Sequence, residues 1–288
     1  MYSADMNVAD VMTPRSEVVT VELPGTRDDV LTYLQERAFS SVPVINDDGD
    51  GEEFRGLVSR EDLIANPDED QLALLMSEVP TTKQGASIEE LARLMVEEGA
   101  RRVPVVGGKL EGIVTVTDVV RAIAEGEAAG DAEVGDLATR TVTTVWRETP
   151  LPVAERTIAY AGIPYAVVLD DDGRMDGIIT EVDVIDVARV VAGEAETGDS
   201  VSSDDEDWKW ENVKAVGSTT MPTRDVEIPA GPVSEFMTGD VVTVTASRTA
   251  KEAAQLMIEH DVEQIPLMTG GHLGGVVTDV DLLEALYE

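Results

Sequence analysis

The chain of 288 residues carries 58 acidic against 21 basic side chains, a formal charge of -37, and no cysteine, which excludes disulfides, thiol nucleophiles and cysteine-ligated metals. The same charge argues against duplex DNA or an anionic membrane as the main partner, since both need clustered lysine and arginine, and points to a high-salt cytoplasm where screening relieves the self-repulsion. The length suits two ordinary domains, and the N-terminal residues have neither the basic nor the apolar region of a signal peptide, so a soluble cytoplasmic protein is expected.

Repetition organises the rest. Val8-Ala-Asp-Val-Met-Thr-Pro14 reads as a short helical turn, Val18 to Val21 as a strand, and Thr26-x-x-Asp29 as the cap of a helix reaching about Ala38. Val42 to Ile45 and Phe54 to Val58 read as paired strands around a polar turn, followed by a helix that Pro67 ends. The second unit repeats this order. Leu74 to Met76 ends its opening helix, Ser87-Ile-Glu-Glu90 boxes a helix to Glu98, Arg102 to Val106 and Leu110 to Thr115 pair around Gly107-Gly108, and a helix runs from about Asp118 to Glu125. The third has Val134 to Leu137, a strand at Thr141 to Val145, a helix in which Pro150 takes the first helical position, strands at Tyr165 to Leu169 and Met175 to Ile179, and a helix to about Ala192. Gly193 to Asp207 holds seven acids and no base and reads as a flexible linker; Trp208-Lys-Trp210 is expected to pin the insertion onto a domain surface. The fourth unit restarts at Val233-Ser-Glu-Phe-Met-Thr238, with a strand at Val241 to Thr245, a helix from Thr249 to His260, strands at Ile265 to Leu267 and Leu273 to Val277, and a last helix from Asp279 to Tyr287.

Each unit ends on one octet: Gly56-Leu-Val-Ser-Arg-Glu-Asp-Leu63, Gly112-Ile-Val-Thr-Val-Thr-Asp-Val119, Gly177-Ile-Ile-Thr-Glu-Val-Asp-Val184 and Gly275-Val-Val-Thr-Asp-Val-Asp-Leu282. Ser/Thr-x-x-Asp has two readings. It is a capping box that satisfies free N–H groups at a helix start, or a hydroxyl–carboxylate pair that binds sugar hydroxyls beside a helix N-terminus favouring an anion. Four aspartates in four copies would be roughly a one-in-ten accident if Asp and Glu were interchangeable in the box, which favours the second.

With Val-x-Asp/Glu-h-Met-Thr at the start, Val-Pro-Val in the middle and Gly-h-h-Ser/Thr-x-x-Asp at the end, each unit of about sixty residues resembles the CBS (cystathionine-β-synthase) domain. The resemblance implies an α/β (α+β) fold of four tandem β-α-β-β-α repeats forming two Bateman modules, similar in plan to the γ subunit of AMP-activated protein kinase and to archaeal four-repeat proteins. The expected bounds are 7–67, 73–126, 134–192 and 233–288, with the acidic insertion at 193–232. It further implies adenosine ligands between paired repeats, held by Ser59 and Asp62, Thr115 and Asp118, Thr180 and Asp183, and Thr278 and Asp281.

Basic residues before the mid-strand proline reach phosphate in such proteins, and here only repeat two supplies them, as Arg101 and Arg102. The alternative for that pair is a surface ion pair with nearby acids. Glu263 and Gln264 stand at the matching place in repeat four, where Glu263 would repel phosphate. Arg15, Arg60 and Lys83 are further candidates to assist.

No catalytic constellation accompanies these motifs. His260 and His272 lack metal or triad spacing, and there is no Gly-x4-Gly-Lys-Ser/Thr loop. The expectation is a non-catalytic sensor of AMP, ADP or ATP acting on a regulated partner protein, with homodimerisation compatible. The alternatives are a sensor of S-adenosylmethionine or methylthioadenosine and a ligand-free scaffold.

Overall fold

The computed structural model describes residues 6–36, 41–47, 52–59, 62–63, 66, 69–195 and 221–287. Repeat one contributes α1 (Val8–Val11), β1 (Thr13–Pro14), β2 (Val21–Glu22), α2 (Arg27–Glu36), β3 (Ser41–Asp47) and β4 (Glu52–Ser59). Repeat two contributes α3 (Leu72–Leu75), α4 (Ile88–Glu97), β5 (Arg102–Val106), β6 (Leu110–Thr115) and α5 (Val116–Glu125). Repeat three follows with α6 (Val134–Leu137), β7 (Thr144–Trp146), α7 (Leu151–Ala161), β8 (Tyr165–Leu169), β9 (Met175–Thr180) and α8 (Glu181–Val187). After the ribbon β10 (Arg189–Ala195) and β11 (Met221–Glu227), repeat four supplies α9 (Ala250–His260), β12 (Gln264–Thr269), β13 (His272–Thr278) and α10 (Asp279–Glu284).

The four repeats fold alike at the residue level. Each central hairpin is antiparallel and carries a register shift one residue after the same strand position, at Val44/Ile45, Val105/Val106, Val168/Leu169 and Leu267/Met268. A short parallel strand or bridge joins each hairpin from the N-terminal side, as in Val21 with Val44 and Thr82 with Val105. Repeat three, which has Val167 in place of the mid-strand proline, uses the extra N–H to bond the Thr143 carbonyl at 3.0 Å.

The signature glycines explain how the repeats pair. The opening of one repeat lies across the last strand of another, one residue past that strand's glycine: Thr13 opposite Ile113, Ser77 opposite Leu57, Thr139 opposite Val276 and Thr238 opposite Ile178. Thus repeats one and two exchange their openings, and repeats three and four do the same. A Cβ on Gly56, Gly177 or Gly275 would stand 2.6, 2.7 and 2.7 Å from the carbonyl oxygens of Ser77, Thr238 and Thr139, and one on Gly112 would collide with that of Thr13. Glycine is required here because another backbone approaches, not because of a turn.

By compactness the chain divides into Met1–Thr141 with Val242–Glu288, and Val142–Val241. In the first unit, repeats two and four share a core: Leu91, Met95 and Ile123 from one, Ala254, Met257 and Leu283 from the other, each almost wholly buried. The alanines at 250, 253 and 254 let α9 approach α5 closely, and Gln255 donates to the Ala124 carbonyl at 3.0 Å. Repeat one has its own cluster around Val30, Leu34 and Val44. The second unit is built on Leu151, Ala154, Ile158, Val168 and Ile179.

Several local expectations differ from what forms. The strand expected at Val18 to Val21 is reduced to Val21–Glu22, because Arg15 binds the Val18 carbonyl at 3.1 Å and holds the preceding backbone out of the ladder. Pro150 is the N-cap of α7, with extended φ and ψ, rather than its first residue. The helix expected to reach Ala192 ends at Val187, and residues 189–195 pair antiparallel with 221–227, in keeping with the strand preference of the β-branched Val190-Val191. The acidic stretch from residue 196 onward and Trp208-Lys209-Trp210 lie outside the described residues, as does Arg60. Among the described residues no helix is long and apolar enough to cross a membrane.

Candidate functional site

The four signature pairs all form the capping box. Thr115 enters α5 with extended φ -118° and ψ 163°, and its hydroxyl accepts from the Asp118 N–H. Asp118 Oδ2 in turn accepts from the Thr115 N–H at 2.9 Å and its hydroxyl at 2.8 Å. Ser59 with Asp62 and Thr180 with Asp183 repeat both contacts at 2.6 to 2.8 Å, and Asp281 Oδ2 accepts from the Thr278 N–H at 2.7 Å. One carboxylate oxygen of each aspartate is therefore spent on its own helix start. The other oxygen has outside contacts in two copies: Asp62 Oδ1 accepts from the Ser77 hydroxyl at 2.8 Å, and Asp118 Oδ1 meets Arg121 at 3.3 Å. Burial pushes the Asp281 carboxyl above its ordinary value, against the hydrogen bonds from Thr278 and with the neighbouring charge of Asp279. Substituting Thr180 by alanine removes the cap of α8 and is expected to cost about 1 kcal/mol in chemical denaturation.

A cleft of about 310 Å³ opens between repeats one and two. Its apolar walls are Val18, Val19, Pro43 and Ile113, and its floor is the strand-to-helix turn Thr115-Val116-Thr117. Arg101, Arg102, Glu17 and Glu263 supply charge at its edge. The cleft thus gathers Thr115, Arg101 and Arg102; Asp118, Ser59, Asp62, Thr278 and Asp281 are not on its lining. Thr180 and Asp183 belong to the second unit.

Two arginines behave unlike the sequence expectation for phosphate ligands. Arg15 is committed to structure: it grips Glu52 through two 2.9 Å contacts and binds Thr20 and the Val18 carbonyl, so it shapes the wall rather than entering the cleft. Arg101 reaches out of repeat two to repeat four, where it contacts Asp279 at 2.5 and 3.2 Å and Glu263 at 3.1 Å. Burial opposes its charge, but the hydrogen bond and charge of Asp279, with the charge of Glu263, outweigh it and hold the guanidinium above its ordinary value. The Asp279 side chain is 6% exposed and the residue is the buried charged group among those described. Sequence reasoning passed over it. The available signal was an acid at the place where repeat two has the apolar Val116, directly after the capping threonine.

Comparison with known proteins bears on what such a cleft belongs to. The model of the CBS domain matches residues 8–69, 72–125, 134–189 and 233–288. An uncharacterized protein of Methanocaldococcus jannaschii is 27% identical over 285 residues, covering 96% of this chain and 61% of that protein, so the chain spans less than two thirds of that relative. Among solved structures, an uncharacterized conserved protein from Pyrococcus horikoshii is 29% identical with a TM-score of 0.69, covering 98% of this chain and 100% of the other. A second M. jannaschii protein, put forward as an archaeal homologue of the AMP-activated protein kinase γ subunit, shares the fold at 21% identity with a TM-score of 0.66, covering 97% and 99%. The four matched segments, each closing on the same capped octet and each exchanging its opening with a neighbour, place the chain in the CBS-domain family, as a protein of four repeats arranged in two Bateman modules.

Proposed function

We propose that the chain is a non-catalytic regulatory protein whose repeat one–two cleft binds an adenosine ligand (AMP, ADP or ATP) and transmits occupancy to a partner protein. The observation that carries this reading is the composition of the cleft. Apolar Val18, Val19, Pro43 and Ile113 suit a purine face, while Thr115-Val116-Thr117 opens a ten-residue helix whose dipole favours an anion, with Arg101 and Arg102 beside it. Its volume of about 310 Å³ suits a small ligand. Asp118 follows directly after this turn without lining the cleft, so a ribose hydroxyl would have to reach past Thr117 to donate to its Oδ1; it would then replace the contact with Arg121 at 3.3 Å and leave the cap, which uses Oδ2, undisturbed. The capping and sugar-binding roles of the aspartate are therefore compatible.

Binding acts on a partner only through a difference in affinity between two arrangements of the repeats. The exchanged openings supply a route, since Thr13 and Val18 line the cleft and belong to the segment that crosses repeat two. A second reading, a sensor of S-adenosylmethionine or methylthioadenosine, is favoured by one observation: Arg101 is already held by two carboxylates. Calorimetric titration with AMP, ADP, ATP and S-adenosylmethionine in concentrated KCl is the test. Heat of binding is expected with at least one, together with stabilisation of about 2.7 kcal/mol at ligand concentrations near 100 times Kd. Silence with all four, in heat and in thermal shift, defeats the proposal.

A further inference from the structure

We infer that Glu263 and Asp279, both from repeat four, are the specificity-determining residues of the repeat one–two cleft and select against ligands with many phosphates. The inference rests on the cleft taking an adenosine ligand. Arg101, which lines the cleft, is tied to a third repeat: Asp279 holds it at 2.5 Å and Glu263 at 3.1 Å. Glu263 also lines the cleft itself, together with Glu17. Counting Asp279 behind Arg101, two guanidiniums at this edge meet three carboxylates. Arg121, near Glu263 and Asp279 in the adjoining hollow, is itself paired with Asp118, so the local balance is negative before any ligand arrives.

A phosphate entering here must draw Arg101 from Asp279 or lie beside Glu263. The first takes the counter-charge from a carboxylate that is 6% exposed and leaves it, among the described residues, only the Val280 N–H, at 2.9 Å from Oδ1, where a buried charge without its ion partner is costly. The second sets like charges together. Each added phosphate increases the penalty, whereas the uncharged adenosine part, held by the apolar walls and the Thr115 turn, feels neither. Repeat two has no such acid: Val116 stands where repeat four has Asp279, and Arg101 where it has Glu263. The pair therefore acts across repeats, on the cleft of a module to which it does not belong. The same geometry makes the Arg101 bridge between repeats two and four answer to what occupies the cleft.

The experiment measures dissociation constants of adenosine, AMP and magnesium-free ATP for the full chain and for Glu263→Gln and Asp279→Asn, at one KCl concentration. The native protein is expected to bind AMP better than ATP. Each variant should tighten ATP at least tenfold and AMP by less, while adenosine changes less than twofold. Equal shifts for all three ligands, or no shift, overturn the inference while leaving adenosine binding intact. If none of the three binds native protein or variant, the adenosine reading falls and the inference with it. Glu263 is 59% exposed, so Glu263→Gln keeps the fold even where Asp279→Asn proves unstable, and its ATP-to-adenosine ratio alone decides the matter.

Discussion

Replacing Gly112 with valine is expected to unfasten the exchanged opening of repeat one, lowering unfolding free energy by about 3 kcal/mol and weakening adenosine-ligand binding at least tenfold. The glycine lies in β6, and its missing side chain faces the Thr13 carbonyl and the Met12 sulfur, the latter 3.1 Å from where a Cβ would stand. Both neighbours are on the segment that pairs Thr13 with Ile113 and Pro14 with Gly112. A carbonyl of a paired strand cannot give way as the end of a flexible side chain can, so the strand must separate or the sheet must distort. Separation moves Thr13, Glu17, Val18 and Val19 together, and these form one side of the cleft. Denaturant titration gives the stability change and calorimetry the affinity. Gly239→Ala is the control, since the nearest atom to its Cβ would be 3.9 Å away, and it should fall within about 0.5 kcal/mol of the native protein.

The contrast between these glycines shows what the sequence could and could not convey. The octets were visible because their residue types recur at fixed order, and with them the hairpins, the caps and the four-repeat plan. The reason for the glycine was not visible, because it lies in a carbonyl of another repeat 21 to 136 residues away in the chain, as in Gly56 against Ser77 and Gly275 against Thr139. The Ser/Thr-x-x-Asp pairs left two readings open for a similar reason. Capping is local and is satisfied at all four sites, whereas any role towards a ligand depends on the second carboxylate oxygen, whose surroundings are set by distant residues such as Ser77. Arg101 stood out as a basic residue before the mid-strand proline, with an ion pair to nearby acids as the alternative, but the acid that pairs with it was not visible, since Asp279 lies 178 positions further along the chain. Elements fixed by local pattern were legible up to their ends. The end of α8 was not, because a continuing Val-Val pair serves a helix face and a strand equally well until the pairing of 189–195 with 221–227 decides it.

Truncating Ile123 to alanine is expected to cost about 2–5 kcal/mol and to loosen repeat four as much as repeat two. Ile123 is wholly buried on α5, in the cluster that also holds Leu91 and Met95 of its own repeat and Ala254, Met257, Leu282 and Leu283 of repeat four. An alanine there leaves a void that the small side chains of α9 cannot fill, because they already sit close to α5 and the helix is held by Gln255 on the Ala124 carbonyl. Were the repeats independent folding units, the loss would stay in repeat two. The shared core predicts otherwise: native-state hydrogen exchange should quicken at Val277 and Leu283 by nearly the same factor as at Val114 and Val119, while Val44 and Val58, in the separate cluster of repeat one, change less. Protection lost in repeat two alone would show that the helices of repeats two and four rest against each other without folding together. In that case Arg101, bonded to Asp279 across the same boundary, would not carry cleft occupancy from one repeat to the other.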